Sequence, residues 1–174
     1  MNNTTRVLAL SLVAVAVLAG CKKNVKPTEP NDTGNNTNIT QPNTNGTSTS
    51  GLYGPSDLDT DACLRQRVVY FDLDQDSLKP EFQAIVGCHA KYLRDRPSAR
   101  INLEGNTDER GSRDYNQALG ERRGNAVSSA VQANGGSGSQ LSVISYGEER
   151  PVCTDSNEDC WARNRRVEII YTAK

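Results

Sequence analysis

The residues best suited to chemistry in this chain lie in one loop and in the helix that follows it. Asp108 stands in a glycine-flanked loop within residues 103–111, directly after a predicted strand. Arg123 lies about two turns into the next predicted helix, residues 116–127. Such a loop and helix can hold a carboxylate and a guanidinium at one mouth, and a guanidinium is the bidentate partner of a carboxylate ligand. The pair therefore suits a ligand that carries an ammonium and a carboxylate on one carbon.

Each of these two side chains also has a simpler explanation. A lone aspartate in a loop is most often a solvated carboxylate, and Arg123 could form an ordinary salt bridge with Asp108 or Glu121. Two features favour a binding site. The glycines of the loop permit tight backbone turns, and Arg123 shares one helix face with Asn116 and Leu119 at spacings of three and four residues.

The elements that must position these residues are predicted from the periodicity of apolar side chains. The folded part is expected to span residues 62–174, with the order β-α-β-α-β followed by a short helical turn and a last strand. The predicted strands are 67–71, 99–104, 141–146 and 166–172, and the predicted helices are 77–94, 114–132 and 159–164. This order indicates an α+β fold, a two-layer α/β sandwich whose helices cover one face of the sheet.

The helix that carries Arg123 is predicted in more detail. Asp114 with Gln117 fits a capping box, and Ser112 is the alternative cap. Tyr115 is expected to face the core together with Leu119 and the small and β-branched residues that follow at helical spacing.

Three further residues have two interpretations each. Gly120 and Gly124 have the spacing of a membrane-helix dimer motif, but charged neighbours exclude a lipid environment, so close packing against the sheet is predicted. Glycine at 124 weakens a helix by about 1 kcal/mol relative to alanine. Trp161 is expected in the core beside Cys160, with an exposed anchor for a partner as the alternative.

The N-terminal residues are predicted to serve export and anchoring. Residues 1–20 combine a basic flank at Arg6 with an apolar core that is typical of a secretion signal. This core is too short to cross a membrane, which takes about 20 apolar residues. The signal ends in a Leu-Ala-Gly-Cys sequence that resembles the bacterial lipobox, in which the cysteine, here Cys21, is lipidated. Lys22 after it favours the outer membrane.

Residues 21–61 are predicted to be the lipidated cysteine and a disordered linker. The stretch is rich in Asn, Thr, Gly, Ser and Pro and has few apolar residues, so it cannot bury enough surface to offset chain entropy. About forty such residues average roughly 35 Å end to end. A tether of this kind suits a protein that is anchored in one layer and reaches another.

Composition excludes nucleic acid as a partner. The formal net charge is −1, and it becomes −2 when residues 1–20 are removed with Arg6, their only charged residue. A near-neutral chain with few aromatic residues has neither the basic surface nor the stacking platform of a nucleic-acid binder.

The cysteines that remain after Cys21 form an even set that allows three pairings. We favour the disulfides Cys63–Cys88 and Cys153–Cys160, because an exported chain meets an oxidising compartment. A metal site is the alternative, but the spacings are not CxxC and His89 is the only histidine. No metal and no cofactor are therefore expected.

The chain also lacks a convincing catalytic set. A zinc hydrolase needs histidine ligands that a single histidine cannot supply. A cysteine nucleophile needs a free thiol and a base, and no pair of carboxylates has a glycosidase-like motif around it. A non-catalytic binding protein is expected.

The site residues fall into a longer pattern. Thr107-Asp108, followed by Asn116-x-x-Leu119-Gly120-x-x-Arg123, resembles the peptidoglycan-binding signature of the OmpA C-terminal-like family. Three more pieces fit the family in order: Tyr-Phe-Asp-Leu-Asp at 70–74, Ser-Tyr-Gly-Glu-Glu-Arg-Pro at 145–151 and Asn-Arg-Arg-Val-Glu at 164–168. The match covers about residues 67–172.

The resemblance implies roles for five residues. Asp108 would bind the ammonium and Arg123 the carboxylate of the zwitterionic end of meso-diaminopimelate in a stem peptide. Asp72, Asn116 and Arg165 match positions near that pocket. The chain departs from the family pattern where it has Gly124 in place of the usual alanine and Asn106 in place of a frequent histidine.

Together with the lipobox and the linker, the pattern is most similar to the family's lipoproteins that work with the Tol proteins. That resemblance implies a lipid-anchored outer-membrane protein that faces the periplasm, binds peptidoglycan and TolB, and acts in envelope integrity and cell division. The alternatives are another outer-membrane lipoprotein with the same domain, acting in envelope assembly or stress response, and a periplasmic scaffold without affinity for the wall.

Overall fold

The computed structural model describes residues 51–174. The predicted signal, the lipidation site Cys21 and the linker up to residue 50 lie outside these residues. The helices are α1 (Asp57–Thr60), α2 (Gln83–Asp95), α3 (Arg113–Ala133) and α4 (Glu158–Asn164). The strands are β1 (Val68–Tyr70), β2 (Arg100–Asn106), β3 (Leu141–Gly147) and β4 (Arg166–Ala173), with 3-10 turns at Pro80–Phe82 and Gly138–Gln140. None of the described helices is both long and apolar enough to cross a membrane.

The four strands form one mixed sheet in the order β1-β4-β2-β3. Strand β2 runs parallel to β3, whereas β4 runs antiparallel to both of its neighbours, β1 and β2. Parallel neighbours require a crossover connection, which α3 supplies between β2 and β3. These directions place the ends of β1, β2 and β3 and the start of β4 at one edge of the sheet. The loops that carry the predicted site residues leave the sheet at this edge.

The predicted α+β sandwich is confirmed by the core. Helices α2 and α3 share one hydrophobic cluster with alternate residues of the central strands, such as Ile101 and Leu103 of β2 and Val167 and Ile169 of β4. Alternation is what a strand with one covered face produces, since successive side chains point to opposite sides. The helices therefore lie on one face of the sheet, as the periodicity predicts.

Helix α3 approaches the sheet closely because both surfaces carry glycine at the contact. A Cβ atom added to Gly105 of β2 would overlap the carbonyl oxygen of Gly120. A Cβ atom added to Gly124 would lie 2.5 Å from Cγ1 of Val143 in β3. The close-packing interpretation of the two helix glycines is therefore correct. The loss of helix propensity at Gly124 is the cost of this contact with Val143.

The core extends to residues that precede the predicted boundary at residue 62. Leu58 in α1 is fully buried and belongs to the same cluster. The Tyr53 ring packs 6.2 Å from the Tyr92 ring, and the Tyr53 N–H donates to Asp95 at 2.9 Å. Two isolated apolar residues in a polar stretch have no periodicity, so the pattern did not reveal that Leu58 is buried and that Tyr53 packs against the core.

Two predictions about the start of α3 are wrong. The cap is Ser112, whose Oγ accepts from the Tyr115 N–H at 3.3 Å, and Asp114 does not form the capping box with Gln117. Tyr115 does not face the core: it is 40% exposed, and its hydroxyl donates to Asp74. A tyrosine has an apolar ring and a polar tip, so helical spacing alone does not decide which environment it takes.

The structure contains the two favoured disulfides. Cys63–Cys88 joins the segment before β1 to α2, with a Cα–Cα distance of 6.2 Å. Cys153–Cys160 closes the loop between β3 and α4, with a Cα–Cα distance of 5.2 Å. Among residues 51–174 no group of histidine, cysteine and acidic side chains is arranged to hold a metal ion.

His89 of α2 is a fully buried polar residue of the core. Its Nε2 lies 2.9 Å from the Gln66 carbonyl oxygen, and its Nδ1 lies 2.8 Å from the Tyr171 hydroxyl. A carbonyl only accepts, so Nε2 carries the proton and Nδ1 accepts from Tyr171. Burial lowers the pKa of His89 below its ordinary value, more than the Gln66 contact raises it. The folded protein therefore holds this imidazole neutral.

We expect the free energy of unfolding to fall as the pH is lowered from about 7.5 to 5. The unfolded chain binds the histidine proton first, so this stability is complete above about pH 6.5 and is lost progressively below it, by at most about 1.4 kcal/mol per pH unit. Carboxyl groups titrate below this window, and the chain has one histidine. Urea denaturation at several pH values measures the slope, and His89→Gln removes the titration. An equal slope in both proteins would contradict the assignment.

Candidate ligand-binding site

A small cleft of about 20 Å³ opens at the edge of the sheet where β1, β2 and β3 end and β4 begins. It is lined by Leu73, Asp74, Thr107, Asp108, Arg110, Tyr115, Asn116, Leu119, Arg123 and Arg165. The lining contains three guanidinium groups and two carboxylates, an excess of one positive charge. Four of the five predicted site residues therefore line one cleft.

Asp72 is the predicted residue that does not line the cleft. Its carboxylate is mostly exposed and pairs with Lys79 at 2.6 Å. Its backbone carbonyl oxygen, in contrast, accepts from Arg123 Nη2 at 3.1 Å. Asp72 thus contributes to the site through its main chain, which positions Arg123.

Asp108 is buried beneath two arginines. It is 4% exposed, and its carboxylate receives a bidentate contact from Arg110, with Nη2–Oδ2 at 2.7 Å and Nε–Oδ1 at 3.1 Å. Arg165 Nη1 donates to Oδ2 at 3.0 Å. Burial alone would raise the pKa of Asp108, but the hydrogen bonds from Arg110 and Arg165 outweigh it and hold the pKa below its usual range. Asp108 is therefore an anion at neutral pH.

The two arginines are held differently. Arg165 is almost fully buried, and it also donates to the Phe71 carbonyl at 3.1 Å and to Glu158 at 2.7 Å. The Arg110 side chain is 31% exposed and extends over the Trp161 ring, 4.2 Å from the ring centre. Arg165 is therefore a fixed part of the site, whereas Arg110 covers Asp108 from the solvent side.

Arg123 is the most deeply buried charge of the cleft. It has no exposed surface, and its guanidinium donates to three backbone carbonyl oxygens: Gln75 at 2.8 Å, Asn106 at 3.0 Å and Asp72 at 3.1 Å. Within residues 51–174 no carboxylate lies within salt-bridge distance of it, so the simpler interpretation of a bridge to Asp108 or Glu121 is wrong. Burial, together with the nearby Arg165, lowers the pKa of Arg123 to about 10. Arg123 is thus a buried cation without an anionic partner.

Asn116 and Tyr115 form the wall of the cleft on the side of α3. The Asn116 side-chain amide donates to Glu148, which follows β3, and the Tyr115 hydroxyl donates to Asp74 in the loop after β1. Asp74 has a φ of 60°, a left-handed conformation that aspartate tolerates better than most residues. Helix α3 therefore fixes the loops on both sides of the cleft.

The contact of Arg110 with Asp108 was not predicted from the sequence, and the prediction that Trp161 lies in the core is wrong. Trp161 is half-buried at the rim and not in the core: its Nε1 donates to Glu109 at 3.1 Å, and its ring supports Arg110. The Asp-x-Arg spacing could have indicated the contact between Arg110 and Asp108. No local sequence pattern indicates that the tryptophan stacks on a loop about fifty residues earlier.

The sequence matches the family model described as "OmpA family" over residues 70–165. The chain belongs to the OmpA family. It is 44% identical over 162 residues to the peptidoglycan-associated lipoprotein of Pseudomonas putida, which covers 92% of this chain and 93% of that one. It is 41% identical over 119 residues to the peptidoglycan-associated lipoprotein of Legionella pneumophila, covering 68% of each chain.

Solved structures give the same relationship. The crystal structure of the peptidoglycan-associated lipoprotein from Burkholderia pseudomallei is similar with a TM-score of 0.65 at 41% identity, covering 66% of this chain and 98% of that one. The C-terminal domain of Helicobacter pylori MotB, at 24% identity and a TM-score of 0.57, covers 62% of this chain and 84% of its own and shares the fold. The resemblance expected from the motifs is confirmed, and the chain is a binding protein of this family and not an enzyme.

We expect Arg123→Ala to destabilise the fold by about 3 kcal/mol or more. The substitution leaves three carbonyl oxygens without their donor, at roughly 1 kcal/mol each, and opens a cavity. Arg122→Ala is the matched control, because Arg122 is half-exposed and pairs with Asp76 at the surface, where ion pairs contribute less than about 1 kcal/mol. Urea denaturation measures both. Equal losses in the two variants would show that the buried network does not hold α3 to the loops.

Proposed function

We propose that the chain is a non-catalytic outer-membrane lipoprotein whose folded domain binds the meso-diaminopimelate stem peptide of peptidoglycan. Relatives that match nearly the whole chain are named peptidoglycan-associated lipoproteins, and the cleft carries the charges that such a ligand needs. The free end of diaminopimelate presents an ammonium and a carboxylate on one carbon, which would meet Asp108 and Arg123.

The observation that carries this proposal is the state of Arg123. A guanidinium removed from water is costly unless an anion compensates it. Within residues 51–174 the partners of Arg123 are all neutral: three backbone carbonyls and the Phe71 ring, 5.3 Å from the guanidinium carbon. A carboxylate in the cleft would supply the missing charge. The guanidinium has five N–H donors, so donors remain for a ligand after the three backbone bonds are made.

The ammonium of the ligand requires an exchange at Asp108. Arg110 and Arg165 already donate to this carboxylate. We infer that the ammonium replaces Arg110, because Arg110 is the more exposed of the two and Arg165 is tied to Phe71 and Glu158 as well. Arg110 keeps Glu158, 3.4 Å away, and the Trp161 ring as partners.

Asp108→Asn tests the site. We expect it to abolish co-sedimentation with purified meso-diaminopimelate-type sacculi, at a cost on the order of 2–5 kcal/mol, because the ligand ammonium loses the carboxylate that is proposed to pair with it. Asp159→Asn, an exposed residue of α4, makes the same change of charge and should bind like the wild type. Sacculi whose peptides carry lysine in place of diaminopimelate lack the carboxylate for Arg123 and should bind weakly.

Continued binding by a folded Asp108→Asn protein would contradict the proposal. If this variant has an unchanged circular dichroism spectrum and still sediments with the sacculi like Asp159→Asn, the cleft is not the wall-binding site. Equal binding to both types of sacculi would remove the role given to Arg123.

We further propose that lipid on Cys21 anchors the chain in the outer membrane, facing the periplasm, and that TolB and other Tol proteins are its partners in envelope integrity and cell division. The lipobox-like sequence and the named relatives support this placement. An OmpA-like lipoprotein with another role in envelope assembly or stress response would use the same binding chemistry.

Cell fractionation and pull-down test the placement together. We expect Cys21→Ser to move from the membrane fraction to the soluble periplasm, since it cannot receive acyl chains, and the wild-type chain to capture TolB from a periplasmic extract. A Cys21→Ser protein that stays in the membrane would remove the lipid anchor, and absence of TolB among the captured proteins would favour the alternative role.

A further inference from the structure

A second cavity shares Thr107 with the cleft and lies on the other side of the loop that follows β2. Its volume is about 90 Å³. It is lined by Thr107, Glu109, Glu148, Pro151, Cys153, Thr154 and Asn164. The cavity takes no part in the contacts of Arg123 and Asp108. The Cys153–Cys160 disulfide holds the segment that forms one of its walls.

The walls of this cavity accept hydrogen bonds and carry negative charge. Its charged lining residues are Glu109 and Glu148, and no basic residue lines it. Glu109 Oε1 accepts from Trp161 and Ser156, and Glu148 Oε2 accepts from Asn116. Within residues 51–174 the other oxygen of each carboxylate, Glu109 Oε2 and Glu148 Oε1, accepts no hydrogen bond. Two anionic acceptors are therefore available.

Thr107 provides an independent indication of a ligand. It is 3% exposed, and its hydroxyl is buried without a hydrogen-bond partner in the described part of the chain. Its N–H donates to the Gly147 carbonyl at 2.8 Å and so fixes the main chain between the ends of β2 and β3. Buried hydroxyl groups are nearly always paired, and Thr107 lines both the cleft and the cavity, so a ligand that enters these spaces could supply the partner.

We propose that the cavity is a second subsite that binds an N–H-bearing nitrogen in the peptide part of the same ligand. This inference rests on the proposed function, since the cleft must hold the free end of the stem peptide. The charges of the two spaces are complementary to different groups. The cleft has an excess of positive charge and a buried guanidinium for a carboxylate, whereas the charged residues that line the cavity are both carboxylates, which accept hydrogen bonds.

The proposal also fits the polarity of such a ligand. Beyond its zwitterionic end, diaminopimelate in a stem peptide carries a second nitrogen, which is an amide N–H. A carboxylate is a strong acceptor for an N–H donor, because a hydrogen bond with one ionised partner is about twice as strong as a neutral one. Thr107, on the wall common to both spaces, would accept from or donate to the part of the ligand that passes between them.

Calorimetric titration of the full-length protein in detergent tests the subsite with two probes. The first is γ-D-glutamyl-meso-diaminopimelate, which has both the zwitterionic end and the amide nitrogen. The second is D-2-aminopimelate, which has the same carbon chain and zwitterionic end but no second nitrogen. Glu109→Gln keeps an acceptor for Trp161 while it removes the charge and introduces a donor into the cavity. Glu81→Gln, an exposed residue of the 80–82 turn, is the matched control.

We expect the wild-type chain and Glu81→Gln to bind the dipeptide more tightly than D-2-aminopimelate. Glu109→Gln should weaken binding of the dipeptide about tenfold and leave binding of D-2-aminopimelate unchanged within about twofold. Thr107→Val, which removes the hydroxyl at nearly constant volume, should weaken the dipeptide in the same direction.

The failures of the two proposals are distinguishable. If Glu109→Gln binds the dipeptide like Glu81→Gln, or weakens both probes equally, the cavity is not a subsite, although the cleft stays the binding site. If the wild-type chain binds neither probe, the proposed function fails, and the subsite fails with it.

Discussion

The burial of the Arg123 guanidinium is the constraint on which the structure of this site depends. One side chain from α3 reaches the loop after β1, through Asp72 and Gln75, and the end of β2, through Asn106. Removing a cation from water is costly, and here neutral carbonyl dipoles compensate it only in part. The same hydrogen bonds therefore fasten three segments of the fold and leave the cleft with an unmatched positive charge. Under the proposed function, Arg123 would couple stability to ligand binding, so the site could not be changed at Arg123 without changing the fold.

The directions of the strands explain why residues distant in the sequence meet here. Because β4 runs antiparallel between β1 and β2, its first residues lie beside the ends of those two strands. Arg165, directly before β4, therefore reaches Asp108, although 57 positions separate them. The backbone also joins the end of β1 to the start of β4, since Phe71 donates its N–H to the Arg165 carbonyl at 3.0 Å. The glycine contact between β2 and α3 then brings the Arg123 turn of the helix over the same edge.

The fold was largely predictable from the sequence, whereas the contacts within the site were not. Apolar periodicity located the strands and α3 within two residues, since each has one face against the core. The helix predicted from residue 77 begins only at Gln83, after the 80–82 turn. Periodicity did not predict that Tyr115 is exposed, with its hydroxyl donating to Asp74. It also did not predict the burial of Leu58, which has no periodic neighbours. The partners of Arg123 were missed for another reason: backbone carbonyls occur at every position and leave no signal in the residue types. The motif identified charged residues that line the cleft, but not that Arg110 covers Asp108.

The two charged contacts of the cleft differ in what a ligand gains from them. In the proposed site an ammonium would replace the Arg110 guanidinium at Asp108, so one ion pair would be lost as another forms. At Arg123 a carboxylate would pair with a cation that has no anionic partner within residues 51–174, so no ion pair would be lost there. The carboxylate would therefore compensate the buried cation, while Asp108 and Arg110 would make the site selective for ligands that bring their own cation. A simple amine would have to displace Arg110 without the compensating contact at Arg123. A simple carboxylate would pair with Arg123 while Arg110 stays on Asp108, so it would make no contact with Asp108. Under the proposed function, a group with both charges on one carbon would satisfy both requirements.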